Sequence, residues 1–273
     1  MNENIKIHIF HCGEVGVDPA VPFRDVSKNP IAYTGIGRSS KLRIWLPVSA
    51  YLIEHPKGRI LVDTGWYTDV RTNPIKHMSV PLYMASRPKL PKGQAIDEQL
   101  AKLGIDTKDL DYVFLTHMDC DHASGIRLVK DAKRIMISED EFKSIKKGDI
   151  RYKNRFWKDV NMEYFQMEDS EYGPHKKTYD VFEDGSVLMV DAKGHTEGNL
   201  IVMIKNHGRF ILLTGDCGYQ KESWEDLRLP GPLSNKNKMI ESLKWVRNMA
   251  HRENCVGVFA THDPSIKPGV IEL

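Results

Sequence analysis

Hydrophobic positions along this chain come in short runs parted by turn residues, a spacing that predicts β-strands more often than long helices. Residues 5–10 (IKIHIF), 42–56 (LRIWLPVSAYLIEHP) and 58–65 (GRILVDTG) come first. The last two meet at Pro56, Lys57 and Gly58, so the three together predict a sheet meander. A helix is predicted over Ala95–Leu103, where Ile96, Leu100 and Leu103 share one stripe and Gly104 stops it. It leads into a buried strand, DYVFLTH (111–117).

The alternation resumes with RIMISEDEFKSI (134–145), a strand running into a helix. Two strand runs follow, SVLMVDAKGH (186–195) and NLIVMIKNHGRFILLTGD (199–216), the second folded into a hairpin near Asn206–Gly208. A helix from Lys236 to about Arg252 precedes a last strand, VGVFATHD (256–263). Strand runs in both halves, each followed by helices, predict two sheets with helices outside them. Residues 73–93, with prolines at 74, 81, 88 and 91, and the aromatic stretch 152–184 are long for connections and are expected to form a lid or pocket wall.

Composition narrows the function classes. The 273 residues suffice for one large domain, taken as 1–273, and 41% hydrophobic content supports a sizeable core. Basic and acidic side chains number 39 and 37, scattered along the chain, so no nucleic-acid backbone is expected as partner. No stretch approaches the ~20 apolar residues of a membrane span, and the amino-terminal MNENIKIHIF has charges before any apolar run. Cys12, Cys120, Cys217 and Cys255 lie far apart without a Cys-x-x-Cys pair. Reduced thiols and a cytoplasmic location are the expectation, and a homodimer is left open.

The chemistry begins in THMDCDHASG (116–125), where His117, Asp119, Asp121 and His122 arrive within six residues after a strand. In such a loop residues 117 and 119 can point one way while 121 and 122, at the turn into a helix, point another. Imidazole and carboxylate together suit zinc, iron, manganese or cobalt, and their number invites a two-metal site. His195, Asp216 and His262 each stand at the carboxyl end of an apolar strand, and an aspartate so placed can bridge two cations. Cys120, inside the motif, is read as packing.

This pattern resembles the metallo-β-lactamase superfamily, whose motif is His-x-His-x-Asp-His followed by a distant His, a bridging Asp and a last His. The resemblance covers nearly the whole chain and implies an α/β (α+β) fold, a four-layer αββα sandwich. It implies that His117, Asp119 and His195 hold a first metal, Asp121, His122 and His262 a second, and Asp216 bridges them. Zinc is the first expectation, with iron or manganese as alternatives. Asp63, in an Asp-Thr-Gly turn, would support the ligands from behind. Asp119 departs from the family, which has histidine there; the alternative is that Asp119 falls short of the metal and only the second site fills.

Two cations roughly 3.5 to 4 Å apart can share a hydroxide and polarise the oxygen that gains charge, which implies a hydrolase. Asp121 could carry the proton to the leaving group. Tyr219, three residues after Asp216, resembles the N-acyl-homoserine lactonase branch, where a phenol bonds the lactone carbonyl. The segment HCGEVGVDPAVPFRD (11–25) resembles that branch's amino-terminal loop. With Trp66, Tyr83 and Met84, and with Phe156 and Trp157 as weaker candidates, it could line a pocket for the apolar acyl group of a small-molecule substrate.

A quorum-quenching lactonase is therefore expected first. A glyoxalase-type thioesterase or a phosphodiesterase of the same fold is the alternative, and a non-catalytic metal-binding module is a third. A nuclease-like activity would call for basic residues near the site, which the charge pattern does not offer.

Overall fold

The computed structural model describes residues 4–148 and 151–273. The predicted meander is present as β1 (Lys6–Val17), β2 (Ile44–His55) and β3 (Gly58–Val62), paired antiparallel. Next come α1 (Pro74–Met78), α2 (Val80–Ala85), β4 (Arg87–Lys89) and α3 (Ile96–Lys102). The motif region contains β5 (Tyr112–Phe114) and α4 (Cys120–Ala123), followed by β6 (Arg134–Ser138), α5 (Glu139–Lys146) and β7 (Met162–Phe165). The second half runs through β8 (Glu168–Asp169), β9 (Lys177–Asp180), β10 (Val187–Asp191), β11 (Leu200–Asn206) and β12 (Arg209–Leu213). It ends with α6 (Lys221–Glu225), α7 (Lys236–Ala250), β13 (Cys255–Phe259) and β14 (Gly269–Glu272).

One sheet has the order β14-β1-β2-β3-β5-β6-β7, with β4 beside β1; the other has the order β13-β12-β11-β10-β9-β8. The period of two in each strand sorts its side chains between two cores. In β2 and β3, Tyr51, Ile53, Ile60 and Val62 turn inward against Met189, Val202, Ile204 and Ile211 of the other sheet. Their neighbours Leu52 and Leu61 face outward, onto Ile96 and Leu100 of α3. On the opposite outer face, Met239, Leu243 and Val246 of α7, spaced for one helical stripe, cover Val190, Ile201 and Leu212. Burying each such side chain stabilises the packing by roughly 1.5–3 kcal/mol. The layers are therefore helix, sheet, sheet, helix, as expected.

Three expectations need correction. Residues 11–17 are not a loop: they continue β1 past a register shift between His11 and Glu14, where Gly13 has φ +90°. The stretch 152–184 is mostly not a lid, because it supplies β7, β8 and β9 at the outer edges of both sheets. Trp66 and Phe156 are fully buried core residues, and Trp157 packs beside them. Within 73–93, in contrast, residues 80–86 do form a pocket wall through α2.

Candidate metal centre

Parallel strands place the ligand loops. β3, β5 and β6 lie side by side with carboxyl ends on one edge, and β12 and β13 run parallel in the facing sheet. The loops leaving β3, β5, β10, β12 and β13 converge there, which brings together Asp63, the 117–122 segment, His195, Asp216 and His262. Strand ends are where polar side chains can leave the packed sheets without breaking ladder hydrogen bonds.

Two groups of donors result. His117, His195 and Asp216 form one, and Asp121, His122 and His262 the other, each with ligand atoms within 4.8 Å of one another. Asp216 divides its oxygens between them. Oδ1 lies 3.1 Å from His122 Nε2 and 3.3 Å from His262 Nε2, whereas Oδ2 lies 3.5 Å from His195 Nε2 and 4.0 Å from His117 Nε2. Asp121 Oδ2 is 3.5 Å from His262 Nε2. Asp119 reaches the first group: its Oδ2 is 3.0 Å from His195 Nε2 and 3.7 Å from His117 Nε2. Tight turns allow this crowding; Asp63 itself sits at φ +59°, a strained conformation for a residue with a side chain.

The imidazoles are held from behind. His122 Nδ1 donates to Asp63 Oδ2 at 2.8 Å and His262 Nδ1 to the Pro47 carbonyl at 2.8 Å. His117 Nδ1 lies 3.0 Å from the Thr116 hydroxyl, which in turn donates to Asp63. These partners leave the Nε2 atoms aimed inward as lone-pair donors. The inner atoms lack partners of their own: His117 Nε2, Asp216 Oδ1 and Asp119 Oδ1 are buried without a hydrogen bond. Orphaned nitrogen and oxygen atoms facing one another at such distances fit divalent cations.

Charge follows the same logic. Burial acts to lower the imidazole pKa of His122, but the Asp216 and Asp63 carboxylates outweigh it and raise it well above the usual range. His117 moves the other way, well below, because burial is joined by the cationic His122. Asp216 is held well below the usual carboxylate range, burial being outweighed by His262 and His122.

Tyr219 is buried with its ring stacked on His262 at 5.1 Å between centroids. Gly218, at φ +101°, makes the turn that returns it to the site. Burial and then Asp216 keep its phenol protonated, pushing its pKa well above the usual value. Tyr219, Asp119, Asp121, Asp216 and His262 all border one cavity of about 740 Å³. Its other walls are mainly apolar: Val15, Val17 and Val21, with Leu82 and Met84 of α2 opposite. Cys120 packs in the core and also touches this cavity. Of the aromatics expected there Met84's neighbour Tyr83 is absent from the lining, and Tyr33 takes part instead.

Sequence reasoning missed two residues. Glu141, fully buried on α5, accepts from Met118 N (2.9 Å), Tyr152 Oη (2.9 Å), Thr196 Oγ1 (2.7 Å) and Gly198 N (3.1 Å), tying the 117–119 loop to the 195–198 loop. Arg151 stands 3.7 Å from Asp119. Neither had a periodic or spacing signal: Glu141 reads as an ordinary acidic residue in a first helical turn, and Arg151 stands just before the aromatic stretch 152–184.

A family model described as the metallo-beta-lactamase superfamily matches residues 43–251. The N-acyl homoserine lactonase AttM of Rhizobium radiobacter is 29% identical over 233 residues, spanning 80% of this chain and 82% of its own. An N-acyl homoserine lactonase of Bacillus cereus is 27% identical over 222 residues, spanning 80% and 82%. Among solved structures, an N-acyl homoserine lactone hydrolase with the product N-hexanoyl-L-homoserine at its catalytic metal centre matches with a TM-score of 0.76 at 22% identity, over 95% of this chain and 94% of that one.

Proposed function

The chain belongs to the metallo-β-lactamase superfamily, and on that premise we propose that it is a metal-dependent, quorum-quenching hydrolase that opens the ring of an N-acyl-homoserine lactone. The observation that carries this reading is the junction of a cage of paired donors with one mainly apolar cavity of about 740 Å³, Tyr219 standing where they meet. The lactonase names of the relatives from Rhizobium radiobacter and Bacillus cereus support it.

In this reading His117, Asp119 and His195 hold a first divalent ion, Asp121, His122 and His262 a second, and Asp216 bridges them. Zinc is the first choice, iron or manganese the alternatives. When bound, the ions supply Lewis acidity and a water of lowered pKa. Tyr219 donates its phenol hydrogen to the lactone carbonyl oxygen as that oxygen gains negative charge. Asp121 takes one proton of the attacking water and passes it to the ring oxygen when the ester C–O bond breaks, leaving a free hydroxyl and a carboxylic acid that releases its proton to solvent as a carboxylate.

The acyl chain lies against Val17, Leu82 and Met84, which exclude water from it, and Ile36 and Val80 at the mouth are exposed apolar side chains that a longer chain would cover. Four unpaired cysteines favour a reducing compartment such as the cytoplasm. Among the described residues no helix is long and apolar enough to cross a membrane.

A panel of N-acyl-homoserine lactones, thioesters and phosphodiesters, offered to zinc-reconstituted protein, tests the substrate class. Lactone turnover well above the others is expected; thioester or phosphodiester hydrolysis without lactone hydrolysis would remove the reading.

A further inference from the structure

Asp119 places a carboxylate where the family motif has a neutral imidazole, so the cage carries three carboxylates, Asp119, Asp121 and Asp216. Among the described residues, the guanidinium of Arg151 stands near enough to offset the added charge, its Nη1 3.7 Å from Asp119 Oδ2. That is the same oxygen that faces His195 Nε2 at 3.0 Å and His117 Nε2 at 3.7 Å. Arg151 is held in place: its guanidinium lies over the Tyr152 ring at 5.4 Å, and the Tyr152 hydroxyl donates to Glu141, which ties the first-site loops together. It also borders the large cavity, with 27% of its side chain exposed.

We propose that Arg151 is a positioning residue of the first metal site, a counter-cation that pairs with Asp119 Oδ2 and sets how tightly that site takes its ion. A guanidinium cannot deprotonate, so it competes with a metal ion for the same oxygen at any working pH. The first site is therefore the weaker of the two, and its affinity reflects Asp119 and Arg151 as one unit. The inference rests on the metal reading proposed above and not on the lactone.

The test titrates zinc into metal-free protein against a chromogenic chelator of known affinity, for wild type, Arg151→Met, Arg151→Gln, Arg151→Lys, Asp119→His and the double variant Asp119→His/Arg151→Met. Two zinc equilibria are expected in wild type. Arg151→Met and Arg151→Gln should tighten the weaker one by roughly tenfold or more, the scale of a unit charge removed beside a dication. The stronger equilibrium should stay within about threefold, and Arg151→Lys should stay near wild type, because it keeps the charge. In the Asp119→His background the Met substitution should change the weaker equilibrium by less than about threefold, since residues that share a partner are not additive.

Unchanged or loosened weak-site binding in both Arg151→Met and Arg151→Gln would overturn the proposal, as would an equal shift in both backgrounds. Wild type that takes up no zinc would remove the metal reading and this inference with it. Wild type that takes two zinc ions but gives no Arg151 effect would remove this inference alone.

Discussion

Asp119 Oδ2 stands 3.0 Å from His195 Nε2, so the residue that departs from the family motif still faces the first group of donors. Asp119→Ala should cut bound zinc from about two ions per chain to about one. It should lower kcat/KM by more than the roughly 10–100-fold that loss of an outer partner costs. Elemental analysis with lactone kinetics checks this, and undiminished metal content in the variant would show that Asp119 is no ligand.

Glu141 makes a different prediction, because it touches no candidate metal. Its carboxylate accepts from four donors while buried, two on each oxygen, and an amide in its place would aim an N–H₂ at two of them. Glu141→Gln should lose about 1–3 kcal/mol of stability and roughly 10–100-fold in metal affinity. Tyr152→Phe, which removes one donor and leaves the others, should cost only about 1 kcal/mol. Equal losses in the two variants, by melting and by chelator competition, would deny Glu141 its linking role.

Tyr219→Phe keeps the ring that stacks on His262 at 5.1 Å and deletes only the hydroxyl. A phenol that bonds the carbonyl oxygen mainly as it gains charge predicts a fall in kcat of roughly tenfold to hundredfold with little change in KM. The melting temperature should hold. A change confined to KM would place the hydroxyl in ground-state binding instead.

Away from the metal cage, His77 is buried between Tyr67 and Phe156, its ring centroids 5.5 and 5.2 Å from theirs. Burial lowers its pKa from 6.5 to about 4. The unfolded chain then takes up a proton first as pH falls, so the stability this neutral ring contributes is complete above pH 6.5 and is lost as pH falls toward 4. The loss is at most on the order of 3 kcal/mol. His77→Phe should flatten the fall in melting temperature between neutral pH and pH 4, and an unchanged slope would assign the acid sensitivity to other groups.

Much of this was legible in the sequence, for reasons that differ by residue. The candidate donors of 117–122 were legible because they crowd one short loop after an apolar strand, and His195, Asp216 and His262 because each ends a strand of its own. The two-sheet layering followed from strand runs in both halves, each followed by helices. β8 (ED) and β14 (GVIE) were not legible: edge strands bury little and carry no clean period. Trp66 and Met84 could not be told apart as core and pocket wall, since apolar walls and apolar cores share a composition and only burial separates them. Glu141 and Arg151 act through contacts across the fold, with partners such as Thr196 and Asp119 set far off in sequence.

Ring opening by paired metal ions at the cage must follow the metal content of the protein. Protein stripped by a chelator and then titrated with zinc is given N-decanoyl-homoserine lactone while ring opening is followed by acid release. The account predicts no ring opening in the stripped protein and activity that rises to a plateau at about two zinc ions per chain. Ring opening that survives metal removal, or a protein loaded with two zinc ions that leaves the lactone closed, would contradict it.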